Sequence, residues 1–243
     1  MKKTVLPISL LCFVFLFFVC PSEASDEAAL AATMGNSLIS VFKPERAAVR
    51  IRKEAPEAWI EIDGGEIDGI KIEKMRLLAE LKSGSAGISS DSEAARLAVM
   101  IKNSTGEAIL AEKDVNEYFR KNENPEGFSD LEFDFGRDGF TAAGRFRTKI
   151  IVDVELPISA KGILALRNEA VYLENTVITV EGRSQPEFLT NMILSRINPL
   201  IEFKDIPFPV TFEKIIMTEK SAIMTGKPKE FKGGKTWHWE KQK

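Results

Sequence analysis

The chain has 243 residues, 44% of them hydrophobic, with a formal net charge of −3 and a single histidine. That length allows one α+β or all-β domain with a sizeable core, and the mild acidity lacks the electrostatic footprint of a nucleic-acid-binding protein. With His238 as the only imidazole, a Ser-His-Asp triad, a Cys-His pair, a zinc site and a two-histidine iron site are all excluded from the folded part.

Met1-Lys2-Lys3, the apolar run Val5 to Val19 and Pro21-Ser22-Glu23-Ala24 make the charged, apolar and small-residue parts of a secretory leader. Cleavage after Ala24 leaves 219 residues with a net charge of about −4, exported to the periplasm or cell envelope. An uncleaved anchor and a lipidated Cys20 are the alternatives, although bulky Phe17-Phe18-Val19 precedes Cys20 where lipidation takes small residues. Cys12 and Cys20 both lie in the leader, so the exported chain holds no thiol, disulfide or thiolate metal site.

Asp26–Phe42 reads as a helix, with Leu30, Met34, Leu38 and Val41 at helical spacing and Pro44 as its stop. Strands follow over Ala47–Arg52, Trp59–Ile62 and Ile67–Leu81, punctuated by Pro56 and Gly64-Gly65; Lys74–Lys82 also fits a helix. Ser83–Ser92 is a Gly/Ser loop, Leu97–Asn103 a strand, and Gly106 a turn. Glu112–Lys121 is a short helix with Val115, Tyr118 and Phe119 on one side.

The second half carries a stronger pattern. Leu131, Phe133 and Phe135 alternate with Glu132 and Asp134, and Gly136-Arg137-Asp138-Gly139 turns the chain. That hairpin sets Phe135 opposite Phe140 and Phe133 opposite Ala142, and the same register sets Phe146 opposite Ser129. From Phe140 to Leu156 the even positions are apolar or small except Thr148, which predicts one strand of seventeen residues, about 56 Å long. Pro157 and Gly162 interrupt, Arg167-Asn168-Glu169 turns, and Val171–Val180 returns. Ser184-Gln185-Pro186-Glu187 reads as a capping box for a helix with Phe188, Leu189, Met192, Ile193 and Ile197 as its stripe, ended by Asn198-Pro199. Pro207-Phe208-Pro209 leads into strands Val210–Met217 and Ala222–Thr225. The predicted architecture is α+β: a long, strongly curved antiparallel sheet wrapped around two or three helices. Its single domain spans 25–231, after the leader (1–24) and before a flexible basic and aromatic tail (232–243).

No Walker loop, GxGxxG or GxSxG pattern occurs. Asp134-Phe135-Gly136 matches the kinase triplet without its partner motifs, and Asp130, Asp153 and Glu155 fall on the wet face as solvated charges. Ser159 and Lys161 occupy adjacent wet positions, which accounts for both without a Ser/Lys dyad. No cofactor or metal is called for. The functional question lies on the oily face: Leu131, Phe133, Phe135, Phe140, Ala142, Gly144, Phe146, Ile150, Val152 and Val154, with Phe188, Met192 and Ile197 of the late helix. This face is either closed core or an apolar groove in which the small residues leave room for an acyl chain. A dozen lipid methylenes buried there would contribute about 10 kcal/mol. The tail Lys227–Lys243, with six lysines and Trp237-His238-Trp239, is either disordered or a foot in which Trp237 and Trp239 touch a membrane surface.

In order and spacing these features resemble bacterial envelope proteins of the LmeA type. The marks are a leader and helix, Ile67-Asp68-Gly69-Ile70-Lys71-Ile72, Leu110–Phe119 (LAEKDVNEYF), the long hairpin, the Pro186 helix, and Ile206-Pro207-Phe208-Pro209-Val210. The resemblance covers most of the exported chain; the Ser83–Ser92 loop and the basic aromatic tail have no counterpart in it. It implies a tubular lipid-binding (TULIP/SMP-like) fold and a non-enzymatic phospholipid-binding or lipid-shuttling protein. An acyl-chain ligand, peripheral membrane contact and no catalytic residues go with that. The rival expectation is an envelope structural or assembly factor whose groove is filled by its own helices.

Overall fold

The computed structural model describes residues 23–52, 54–83, 91–121, 127–149 and 153–241, with the backbone alone at 23–25, 148, 149, 153 and 154. The expected leader lies outside the described residues up to position 22. Helix α1 (Glu23–Phe42) buries Ala31, Met34, Leu38 and Phe42 in one stripe, and ends where Lys43 takes a positive φ ahead of Pro44. Strands β1 (Arg46–Ile51), β2 (Glu57–Ile67) and β3 (Ile70–Leu81) follow, so the ambiguous stretch Lys74–Lys82 is strand through Leu81. Asp68 and Gly69, both at positive φ, turn β2 into β3, while Gly64 and Gly65 lie inside β2.

Helix α2 (Glu93–Met100) replaces the first half of the strand expected over Leu97–Asn103, and β4 (Ile101–Ala111) starts directly after it. Ser92 decides the difference: its side chain accepts from the Ala95 N–H at 3.1 Å, and Leu97 and Met100, three residues apart, are both buried. Gly106 is a β4 residue opposite Leu77, not a turn. Helix α3 (Glu112–Lys121) has the expected bounds. Next come β5 (Phe128–Gly136), β6 (Gly139–Lys149), β7 (Asp153–Arg167), β8 (Ala170–Val180) and β9 (Arg183–Ser184). Helix α4 (Glu187–Leu194), β10 (Ile201–Glu202), β11 (Val210–Thr211), β12 (Lys214–Met217), β13 (Ser221–Thr225) and β14 (Thr236–Glu240) complete the order.

Where one sheet was expected, the chain builds two. The first has eight strands, β12-β13-β4-β3-β2-β1-β14 with β11 parallel to β4; the second has six, β10-β8-β7-β6-β5 with β9 on β8. The seventeen-residue strand is in fact a hairpin. Phe146 faces Leu156 and Lys149 faces Asp153, so the chain reverses between β6 and β7. Even residues pair with even residues across that reversal, so the oily alternation runs through it unbroken. Pro157 and Gly162 belong to β7. Ser184 belongs to β9, and Pro186 holds the α4 N-cap position without a side-chain cap bond. Thr236–Glu240, in the segment expected to be a flexible tail, pairs with β1 as an edge of the first sheet, which brings His238 into the folded part opposite Ala48. Buried side chains of both sheets, α1, α2 and α3 form one continuous apolar cluster.

Candidate functional site

The hairpin register places Phe133 opposite Ala142 and Phe135 opposite Phe140, as expected. A bulge between Ser129 and Glu132, where Asp130 takes a positive φ, then shifts the pairing by one, and Phe146 meets Phe128 instead of Ser129. Leu131, Phe133, Phe135, Phe140, Ala142 and Phe146 are 2–8% exposed. Their rings pack on one another: Phe133 lies 5.7 Å from Phe140 and 5.4 Å from Phe119 of α3, and Phe128 lies 5.0 Å from Phe146. In the described side chains this face is closed core, not an open groove. The space attributed to Gly144 is occupied, since a Cβ there would stand 2.9 Å from Leu131 Cα. Ile150 and Val152 lie outside the described residues, and Val154 is placed by its backbone alone, opposite Thr148.

Helix α3 closes the sheet edge. Asn116 donates to the Phe133 carbonyl at 2.8 Å and accepts from the Phe133 N–H at 2.7 Å. One turn earlier, Glu112 accepts from the Phe135 N–H at 2.6 Å. Two side chains at i and i+4 thus occupy backbone groups of β5 that an added strand would take, which blunts the edge. Asp114, between them, is 4% exposed and its Oδ2 has no hydrogen-bond partner. Burial pushes its carboxyl pKa up, against the pull of Lys113 and Lys71.

The helix residues assigned to the groove stand elsewhere. Phe188 is 69% and Met192 44% exposed on the outer face of α4, while Ile197 is half-buried against the core. Thr190 and Ile193 are the buried residues of α4. Sequence periodicity had located the stripe but not which way it faces.

The tail tryptophans meet the protein. Trp239 pairs with Ala47 and Trp237 with Val49, and both indoles pack against the core cluster. The Trp239 ring packs on α1 at Gly35, where a Cβ would fall 2.5 Å from Cη2 and closer still to Cζ2 and Cε2. Arg50 ties the preceding segment down, donating to Glu230 at 2.8 Å and to the Phe231 carbonyl at 3.1 Å. The membrane foot expected from Trp237 and Trp239 is therefore not a free segment. Between α1 and β14 a slot of about 330 Å³ remains, lined by Ile39, Lys43, Pro44, Trp239, Glu240 and Lys241. The sequence signal for this seam was a glycine in mid-helix, which marks close approach.

A larger trough of about 900 Å³ lies along the second sheet, lined by Phe133, Ala142, Ala160 and Val177 as well as by Glu132, Asp134, Thr141, Ser159, Lys161 and Lys220. Lys220 stands 3.0 Å from Glu112 and 3.2 Å from Asp134, which hold its pKa above the usual lysine value. Ser159 Oγ shares a hydrogen bond with Thr179, not with Lys161. Asp130 and Glu155 are paired with Arg145 at 3.8 and 3.7 Å. Asp130 and Glu155 are thus ion-paired with Arg145 in a network on the wet face.

Among the described residues no cluster of three His, Cys, Asp or Glu side chains is set to hold a metal, and no helix is long and apolar enough to cross a membrane. Comparison with protein-family models, with curated proteins and with solved structures finds no match to this chain.

Proposed function

We propose that the chain is a non-enzymatic, lipid-binding protein of the cell envelope that meets its ligand at a membrane surface, with a fold akin to the tubular lipid-binding type. The observation that carries this reading is the outer face of α4, where Phe188 and Met192 stand exposed at i and i+4. Burying a side chain of this kind is worth about 1.5–3 kcal/mol, and that gain is realised when a short amphipathic helix lies in the headgroup boundary. The resemblance to the LmeA type supports the same class. Its marks fall on structural joints: Asp68-Gly69 is the β2–β3 turn, and LAEKDVNEYF spans the β4–α3 junction.

A second reading is favoured by the ring packing on β5 and β6: an envelope structural or assembly factor whose interior is filled by its own elements. Native mass spectrometry of gently purified protein, with flotation on phosphatidylglycerol vesicles, separates the two. The lipid-binding reading expects co-purified phospholipid or flotation, weakened when Phe188 and Met192 are both changed to serine. Because both side chains are exposed, that double variant should keep the wild-type urea midpoint. Lipid-free protein that does not float would overturn the lipid reading and leave the scaffold.

A further inference from the structure

We infer that the seam between α1 and β14 is a binding slot for one single-chain anionic amphiphile, with its alkyl chain against Trp239 and its head at Lys43 and Lys241. This rests on the lipid-binding reading above and gives it a site and a ligand class. The slot holds about 330 Å³. At roughly 30 Å³ per methylene, close to the share of one water in the liquid, it takes about ten methylenes. That is one alkyl chain and not the two of a diacyl phospholipid.

The walls suit an alkyl chain. Ile39 is the exposed apolar residue at the C-terminal end of α1, at 37%, and Pro44 brings no N–H. The backbone around the slot is already hydrogen-bonded: Lys43 N–H donates to the Ile39 carbonyl at 3.0 Å, and Lys241 N–H to the Glu45 carbonyl at 2.9 Å. The indole of Trp239 cannot swing onto α1 any further, because it already lies on Gly35. The wall is therefore preformed, as in most small-ligand sites.

The rim chooses the head. Two ammonium groups, Lys43 and Lys241, and one carboxylate, Glu240, line the slot, while the Glu45 carboxylate near Lys241 is already engaged by Lys71 at 2.7 Å. Lys43 stands 4.0 Å from Glu66 with most of its side chain exposed, an ion pair weak enough for an anionic head to displace. Carboxylate and phosphate heads share this chemistry, and the slot is built from the C-terminal segment that has no counterpart in the LmeA-type pattern.

The test titrates the delipidated exported chain with laurate, dodecyl phosphate and dodecyltrimethylammonium, below micelle formation, with stoichiometry read by native mass spectrometry and indole emission. One anionic molecule per chain is expected, with the cation about tenfold weaker; the tighter anion identifies the head. Lys43→Glu with Lys241→Glu, both at the solvent-exposed rim, should reverse the preference, and Ile39→Trp should fill the slot and abolish alkyl binding. Equal affinity for anion and cation, or laurate bound undiminished by Ile39→Trp, would overturn the slot. Vesicle flotation of the same variants keeps the two proposals apart. Wild type that floats but binds no alkyl anion overturns the slot alone, and wild type that does neither overturns both.

Discussion

Gly35→Ala offers a test in which two known effects carry opposite signs. In an exposed helix the change stabilises by about 0.5–1 kcal/mol, because alanine loses less backbone freedom than glycine. Here the new Cβ would fall within 2.5 Å of the Trp239 ring, and the indole must leave the α1 surface. A tryptophan side chain buries about 150–250 Å² when packed. Trp239 is half-buried, so expulsion forfeits about 100 Å² of contact, or about 2.5 kcal/mol at 25 cal/mol per Å². The net expectation is a loss of about 1.5–2 kcal/mol, which lowers the thermal midpoint of a chain this size by about 3–8 °C. Urea denaturation followed by far-UV circular dichroism measures it without reliance on indole emission. In a Trp239→Ala background the same substitution meets no ring, and its sign should invert to a gain of about 0.5–1 kcal/mol. If Gly35→Ala stabilises both backgrounds equally, Trp239 does not lie on the helix.

Deleting Gly233–Lys243 strips β14 and both tail indoles from β1. The thermal midpoint should fall by an amount equivalent to about 3 kcal/mol or more, and an unchanged midpoint would restore the flexible tail. Phe146→Ala, which removes the ring packed at a tilt against Phe128, should cost about 3–5 kcal/mol in urea unfolding if the face is closed core. A cost near 1 kcal/mol would mean that the gap is open to solvent or to an acyl chain. For Asp114 the folded pKa is raised by burial, so at pH values between the unfolded and folded pKa the folded chain holds a proton that the unfolded chain has released. Its contribution to stability is present below the unfolded aspartate pKa, about 3.9, and is lost as pH rises through the folded value. Asp114→Asn should therefore be more stable than wild type at pH 7, with the difference vanishing toward pH 4; a less stable variant at pH 7 would refute the burial argument.

The elements most legible in the sequence were those with local chemistry at both ends. Glu112–Lys121 was readable because Ala111 closes a strand and the helix opens on acidic residues. The β5–β6 hairpin was readable because its turn and its alternation agree on register. The β2–β3 turn was misplaced because Gly64-Gly65 competes with Asp68-Gly69, and only the pairing of Ile67 with Ile70 decides between them. The reversal between β6 and β7 was invisible for a sharper reason. Period-2 alternation reports which face a residue occupies and not the direction of travel, so a parity-preserving hairpin has the same pattern as one long strand. The direction of α4 failed likewise, since a stripe at helical spacing does not say whether the core lies under Phe188 or under Ile193.

The choice between groove and closed core turns on the small residues. Small residues on an oily face leave room for a ligand only if nothing else fills it, and a missing side chain admits a neighbouring backbone as readily as an alkyl chain. Gly144 admits the Leu131 backbone at the β5 bulge, and Gly162 admits Glu174, whose carbonyl a Cβ would meet at 2.8 Å. Gly35 admits the Trp239 ring. At each of these positions the vacancy is filled by the chain itself, which costs no ligand-ordering entropy and leaves no hydrocarbon exposed. An apolar residue that stays exposed with nothing covering it is the better sign of a lipid contact, because its burial free energy is still unrealised. Phe188, Met192 and Ile39 meet that condition and the phenylalanines of β5 and β6 do not. On this argument, substitutions at Phe188, Met192 and Ile39 should change lipid binding and leave the urea midpoint nearly fixed, whereas those at Phe133, Phe140 and Phe146 should lower the midpoint first. A scan in which the buried rings alone altered lipid binding, at constant stability, would return the ligand to the interior.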